Sequence, residues 1–97
     1  MVKGKTKSGF EFEVNEALIS DYRFVTKLAA LARCEEEDGM EASALLGELV
    51  HVLLGTSGER ALLDHVKKNG VASFDDVSDE FSEILDSIGK QDTNSKN

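Results

Sequence analysis

The run Phe10-Glu11-Phe12-Glu13-Val14 constrains this chain more than any other feature, because apolar and acidic residues alternate along it. Such a run reads as a strand with one apolar and one wet face. A hairpin back to residues 2–7 supplies its natural partner. The turn is chosen by where the charges fall. A two-residue Ser8-Gly9 loop sets Lys3, Lys5 and Lys7 against Val14, Phe12 and Phe10, loading the apolar face with ammonium groups. A three-residue loop, Lys7-Ser8-Gly9, instead pairs Thr6 with Phe10, Lys5 with Glu11, Gly4 with Phe12, Lys3 with Glu13 and Val2 with Val14. It also puts Gly9 where a left-handed residue is wanted. Each Lys–Glu pair on the wet face contributes about 0.2–1 kcal/mol, so this second register is predicted. A lone two-stranded hairpin is marginal in water. Its phenylalanine face must therefore lie on helices.

Helical spacing takes over after the hairpin. Asn15 is a suitable cap, and a helix is predicted from Glu16 to about Glu36. On it, Leu18, Tyr22, Val25, Ala29 and Ala32 form one seam, and Phe24, Leu28 and Leu31 form a second beside it. The two together are wider than the stripe of about 100° that a simple surface helix shows. One seam can face the core while the other faces something else. The run Glu35-Glu36-Glu37-Asp38, with Gly39, reads as the end of this helix, fraying into a solvated loop because carboxylates are unfavourable at the negative pole of the macrodipole. A second helix, about Glu41 to Leu54, is apolar over about 200° of its circumference and so central or shared between subunits. Gly55 stops it. Thr56 and Glu59 offer a capping box for a third helix to about Lys68, closed by Gly70. Ser73 can cap the last helix, whose Phe74, Val77, Phe81, Ile84, Leu85 and Ile88 share one face. Residues 90–97 contain nothing apolar, so a disordered tail is expected there. The predicted fold is mainly α, with an N-terminal β-hairpin (1–14) packed on a bundle of about four helices in a single domain, 1–89.

Composition bounds the function. At 97 residues with 40% apolar side chains, the chain can form one domain with a modest core. Its 19 acidic residues outnumber 11 basic ones, for a formal net charge of −8. Phosphates would be repelled by such a surface, so direct nucleic-acid binding is not expected. No stretch approaches the roughly 20 apolar residues of a membrane span, and no apolar segment follows the basic start to make a secretory signal. The single cysteine, Cys34, excludes an intramolecular disulfide framework and fits a reducing compartment. A cytosolic protein with no membrane association is expected.

Chemistry-bearing patterns are few. His51 and His65 form no HExxH-type pair, and Cys34 has no second cysteine to complete a zinc site, so no metal or cofactor is predicted. Glu35 and Glu36 beside Cys34 disfavour a thiolate nucleophile. The acidic stretch 35–41 lacks EF-hand spacing, and Gly55-Thr56-Ser57-Gly58-Glu59-Arg60 lacks the Lys-Ser or Lys-Thr of a phosphate loop. No Ser-His-Asp or paired-carboxylate pattern stands out. A non-enzymatic protein is expected, with no catalytic residues. What remains is surplus apolar surface on the first two helices. Either a compact helical domain buries all of it, or it meets another polypeptide.

The opening Lys5-Thr6-Lys7-Ser8-Gly9-Phe10-Glu11-Phe12-Glu13-Val14 hairpin, the long first helix ending in an acidic break and the Leu53-Leu54-Gly55 stop form one part of a wider pattern. Leu62-Leu63-Asp64-His65-Val66, Gly70-Val71 and the acidic closing helix to Ile88 complete it. In this order they resemble the small tail assembly chaperones of long-tailed bacteriophages, as found in phages and prophages of Gram-positive bacteria. The resemblance covers nearly the whole chain up to Lys90. It implies a predominantly helical protein of the host cytoplasm, absent from the mature virion, that binds the long tape measure protein before the tail tube polymerises around it. It further implies a frameshift-extended form that recruits tail tube subunits. A tape measure protein is long, helical and apolar-striped, so its chaperone needs apolar grooves with an acidic rim, and repeated copies. The contact residues expected on this reading are Phe24, Leu28 and Leu31 with the exposed part of Leu46, Val50 and Leu54, and self-association into a homo-oligomer through one of these surfaces is equally compatible. The competing reading is an acidic DNA mimic that inhibits a host nucleic-acid-binding protein through the carboxylates of the last helix.

Overall fold

The computed structural model describes the backbone of residues 1–95 and the side chains of residues 1–89. Strands β1 (Val2–Lys5) and β2 (Glu11–Val14) pair antiparallel with Val2 opposite Val14, Lys3 opposite Glu13, Gly4 opposite Phe12 and Lys5 opposite Glu11. This is the register that the charges select. Thr6 N donates to Phe10 O at 2.9 Å, and Gly9 closes the loop at φ 97°. Lys3 Nζ lies 3.6 Å from Glu13 on the wet face. Gly4 is required for a separate reason: a Cβ there would stand 2.6 Å from Cζ of the Phe12 ring, which crosses over it. Val2, Phe10, Phe12 and Val14 are all buried against the helices, which makes the fold mainly α with an N-terminal hairpin, as predicted.

The first predicted helix is divided. Glu16–Ser20 forms a 3-10 segment, with Asn15 Oδ1 accepting from Ala17 N at 3.0 Å. The chain is then extended at Asp21 before α1 (Tyr22–Ala32) begins. Asp21 causes the break: its carboxylate accepts from Arg23 N at 2.9 Å, which satisfies an orphan donor and starts a new helix. The Arg23 guanidinium and backbone N–H hold the Asp21 carboxyl below the usual carboxylate range.

The acidic run is also placed differently. α1 ends at Ala32, and a 3-10 turn, Glu36–Asp38, leads directly into α2 (Gly39–Val66). Glu35 and Asp38 form a reciprocal capping box across that turn, with Glu35 N donating to Asp38 Oδ2 at 3.0 Å. The carboxylates therefore stand at the favourable amino-terminal pole of α2, where the macrodipole attracts negative charge. They do not fray from the end of α1. Within α2, Gly55 has φ 76° and ψ 175°, so the chain breaks there into two helical arms, 39–54 and 56–66. Glu59 does not turn back to a cap but meets His51 Nδ1 at 3.0 Å across the break. A tight turn through Asn69 (φ 53°) and Gly70 (φ 80°) leads to α3 (Phe74–Ser95), where Asp76 N donates to Ser73 Oγ at 3.2 Å. The α3 backbone continues past Gly89, and the side chains of the expected 90–97 tail lie outside the described residues.

One core joins these elements. Leu46, Leu49, Val50 and Leu53 from the first arm of α2 meet Leu62 and Val66 from the second, and Val77, Phe81, Ile84 and Ile88 from α3. Phe24 enters from α1, 6.3 Å ring to ring from Phe81. A polar clamp fixes the hairpin tip to α3. Thr6 Oγ1 donates to Glu80 Oε1 at 2.7 Å, Ser8 Oγ donates to Glu80 Oε2 at 2.9 Å, and Lys7 N donates to Glu83 Oε1 at 2.9 Å. Glu80 is only 6% exposed, so its carboxylate depends on these donors in place of water.

Two outcomes follow for stability. Thr6→Val, which keeps the shape and deletes one donor to the buried carboxylate, lowers unfolding free energy by about 1.5–3 kcal/mol in urea titration. Phe24→Ala costs about 3–5 kcal/mol by the same measurement, whereas Val25→Lys, one residue along on the outer face, changes stability by no more than about 0.5 kcal/mol.

Candidate binding surface

Of the residues expected to contact a partner, Phe24 (1% exposed), Leu46 and Val50 are sealed in the protomer core. That corrects the expectation for these three: they pack the hairpin and α3 and offer no surface to a partner. Leu28, Leu31 and Leu54 are half-buried and pack against the same core. The two seams of the first helix are real, but their roles are exchanged. Phe24, Leu28 and Leu31 face inward, while Tyr22 (80% exposed), Val25, Ala29 and Ala32 form an outward stripe along α1. Leu18, which the uninterrupted helix would have put on that stripe, lies in the 3-10 segment and packs on the core.

A second uncovered apolar surface lies where the end of α1, the start of α2 and the start of α3 meet. It is an open groove of about 1030 Å³, with Leu31, Cys34, Met40, Ala42 and Phe74 among its walls. Met40 is 91% exposed, and Phe74, although on the apolar face of α3, is exposed because it begins the helix at the end of the bundle. Glu35, Glu36 and Asp75 also line the groove, with no lysine, arginine or histidine among its lining residues. Of the groove residues, the sequence pattern singled out only Leu31 as a contact. Met40 sits beside an acidic run, and Phe74 looks inward by periodicity.

Cys34 stands in this groove. Loss of solvent around it, the carboxylates of Glu41 and Asp38, and only partial relief from Arg33 push its pKa up. Its Sγ donates to Ala30 O at 3.5 Å.

The cluster of Ser8, His65 and Glu80 contains the residue types of a hydrolytic triad but not its wiring. Ser8 Oγ donates to Glu80 Oε2 and lies 2.9 Å from His65 Nε2, so the carboxylate is bonded to the serine, whereas in a triad it orients the histidine. The cluster ties the hairpin tip to α2 and α3, and the His65 ring lies 5.5 Å from the Phe10 ring at a tilt of 52°. Glu80 and Glu83 hold the hairpin, and Asp76 pairs with Lys68 at 3.6 Å, so several carboxylates of α3 are engaged within the protomer. Among the described residues, no group of three or more His, Cys, Asp or Glu side chains is placed to hold a metal, and no helix is long and apolar enough to cross a membrane. No protein-family pattern, curated protein or solved structure matches the chain.

Because the thiol pKa is raised, Cys34 reacts with iodoacetamide at pH 7.5 more slowly than the thiol of free glutathione. Its rate keeps climbing with pH beyond the range in which glutathione levels off, a profile that mass spectrometry of the alkylated protein checks directly.

Proposed function

We propose that this protein is a non-enzymatic tail assembly chaperone that binds and solubilises the helical tape measure protein of a long-tailed phage or prophage in the host cytoplasm. The observation that carries the proposal is the acid-rimmed apolar groove at Leu31, Met40 and Phe74, which a 97-residue chain with an otherwise closed core leaves open. A helix hydrogen-bonds its own backbone and offers side chains at helical spacing, so it is the kind of segment that an apolar groove takes without leaving backbone groups unpaired. The groove's exposure is tolerable in the free protein because the net charge of −8 opposes nonspecific clumping. Many copies, each with modest affinity, would cover a long client through effective concentration. The order of hairpin, helices and glycine stops supports the same reading through its resemblance to these chaperones. A frameshift-extended form recruiting tail tube subunits belongs to this proposal.

Co-expression with the tape measure protein encoded nearby tests it. The expected result is a soluble complex that survives size-exclusion chromatography in about 0.5 M salt, because apolar contacts outlast screening at that ionic strength. A tape measure protein that remains insoluble, or elutes alone, overturns the proposal. The inhibitor reading predicts the opposite salt behaviour, with binding to a basic protein that collapses as salt rises.

A further inference from the structure

We infer that the groove discriminates among helical clients, admitting those whose apolar stripe is flanked by lysine or arginine, with Glu36 and Asp75 as the residues that make the choice. This names the class of partner for the site just proposed, and it rests on that reading for the groove's role as a helix seat. The apolar walls by themselves select little. At about 1030 Å³ the groove is as large as cavities that take a whole small ligand, so it has room for successive anchors from one helix face. Met40, unbranched and exposed, adapts to aliphatic or aromatic anchors alike. Charge is what remains to tell one apolar helix from another.

The border carries one sign. Glu35 and Glu36 stand on it from the turn that leads into α2, and Asp75 from the first turn of α3, with no basic side chain among the lining residues. Glu35 is engaged in the capping box with Asp38. Glu36 and Asp75 have neither an ion pair nor a side-chain hydrogen bond among the described residues. The carboxylates further along α3 differ, since Asp76 pairs with Lys68 while Glu80 and Glu83 hold the hairpin. The amino-terminal poles of α2 and α3 return about half a positive charge each, less than three carboxylates supply. Loss of solvent raises the Cys34 pKa first, and Glu41 and Asp38 then add more than Arg33 takes away, so the field at that groove atom is negative. A lysine or arginine flanking the client's apolar anchor therefore meets a carboxylate with no other partner, whereas a glutamate there meets unrelieved like charge. Apolar burial then holds whichever helix the border admits.

Fluorescence anisotropy on the intact chain at about 0.1 M salt tests this with two labelled synthetic helices that share one leucine stripe, flanked by lysines in one and by glutamates in the other. The lysine-flanked helix is expected to bind at least about tenfold tighter, with the ratio narrowing as salt rises. Glu36→Gln with Asp75→Asn cuts the ratio to about threefold or less. Glu11→Gln with Glu13→Gln, which removes the same charge from the wet face of the hairpin, keeps the ratio, so the border is distinguished from the general pull of the net charge of −8. Met40→Ser weakens both helices alike, and circular dichroism verifies that each variant is folded. Equal affinity for the two helices overturns the inference. So does a preference that survives the loss of Glu36 and Asp75, or one that falls equally with Glu11 and Glu13. Failure to bind either helix overturns it too, and alone among these outcomes also counts against the groove as a helix seat; the others leave solubilisation of the tape measure protein untouched.

Discussion

Burial of the hairpin's apolar face is the constraint on which the rest of the structure depends. Val2, Phe10, Phe12 and Val14 cannot be left in water on a two-stranded ribbon, and each contributes about 1.5–3 kcal/mol once covered. Covering them uses the inner sides of α2 and α3, and Phe24 of α1 joins the same cluster. Once those faces are committed, the other seam of α1 must point outward. The Thr6–Glu80 and Ser8–Glu80 bonds lock this choice, because they give a buried carboxylate its donors only when the hairpin tip lies on α3.

The apolar residues left over are thus a consequence of the core and not an independent surface. The helix faces that cover the hairpin do not extend to the groove, whose apolar walls remain open. Met40 and Phe74 stand on those walls, next to the capping box formed by Glu35 and Asp38. The carboxylates that start α2 therefore also set the charge of the groove's border. One short acidic run both caps a helix and lines the groove.

Much of this was legible in the sequence. The hairpin register could be derived because only one turn length keeps lysines off the apolar face, and Gly55 and Ser73 carry unambiguous stop and start signals. The break at Asp21 was missed, although Ser20-Asp21 has the chemistry of a cap, because the apolar spacing runs through it without interruption. Placing the acidic run on the wrong helix followed from that same overlong reading. The exchange of the α1 seams has a different cause: periodicity gives angles around a helix but not which angle meets the core. The groove is built from the end of α1 and the starts of α2 and α3, and periodicity cannot bring together side chains as distant as Met40 and Phe74.

The chain's two methionines make the central claim directly measurable, since Met40 stands on the groove wall and Met1 at the start of the hairpin. Methyl-labelled methionine NMR of the protein, alone and with a tape measure protein added as the proposed client, reports on both positions at once. The account predicts that the Met40 methyl resonance shifts or broadens on binding while that of Met1 stays in place. A complex that forms with the Met40 resonance unmoved would contradict it.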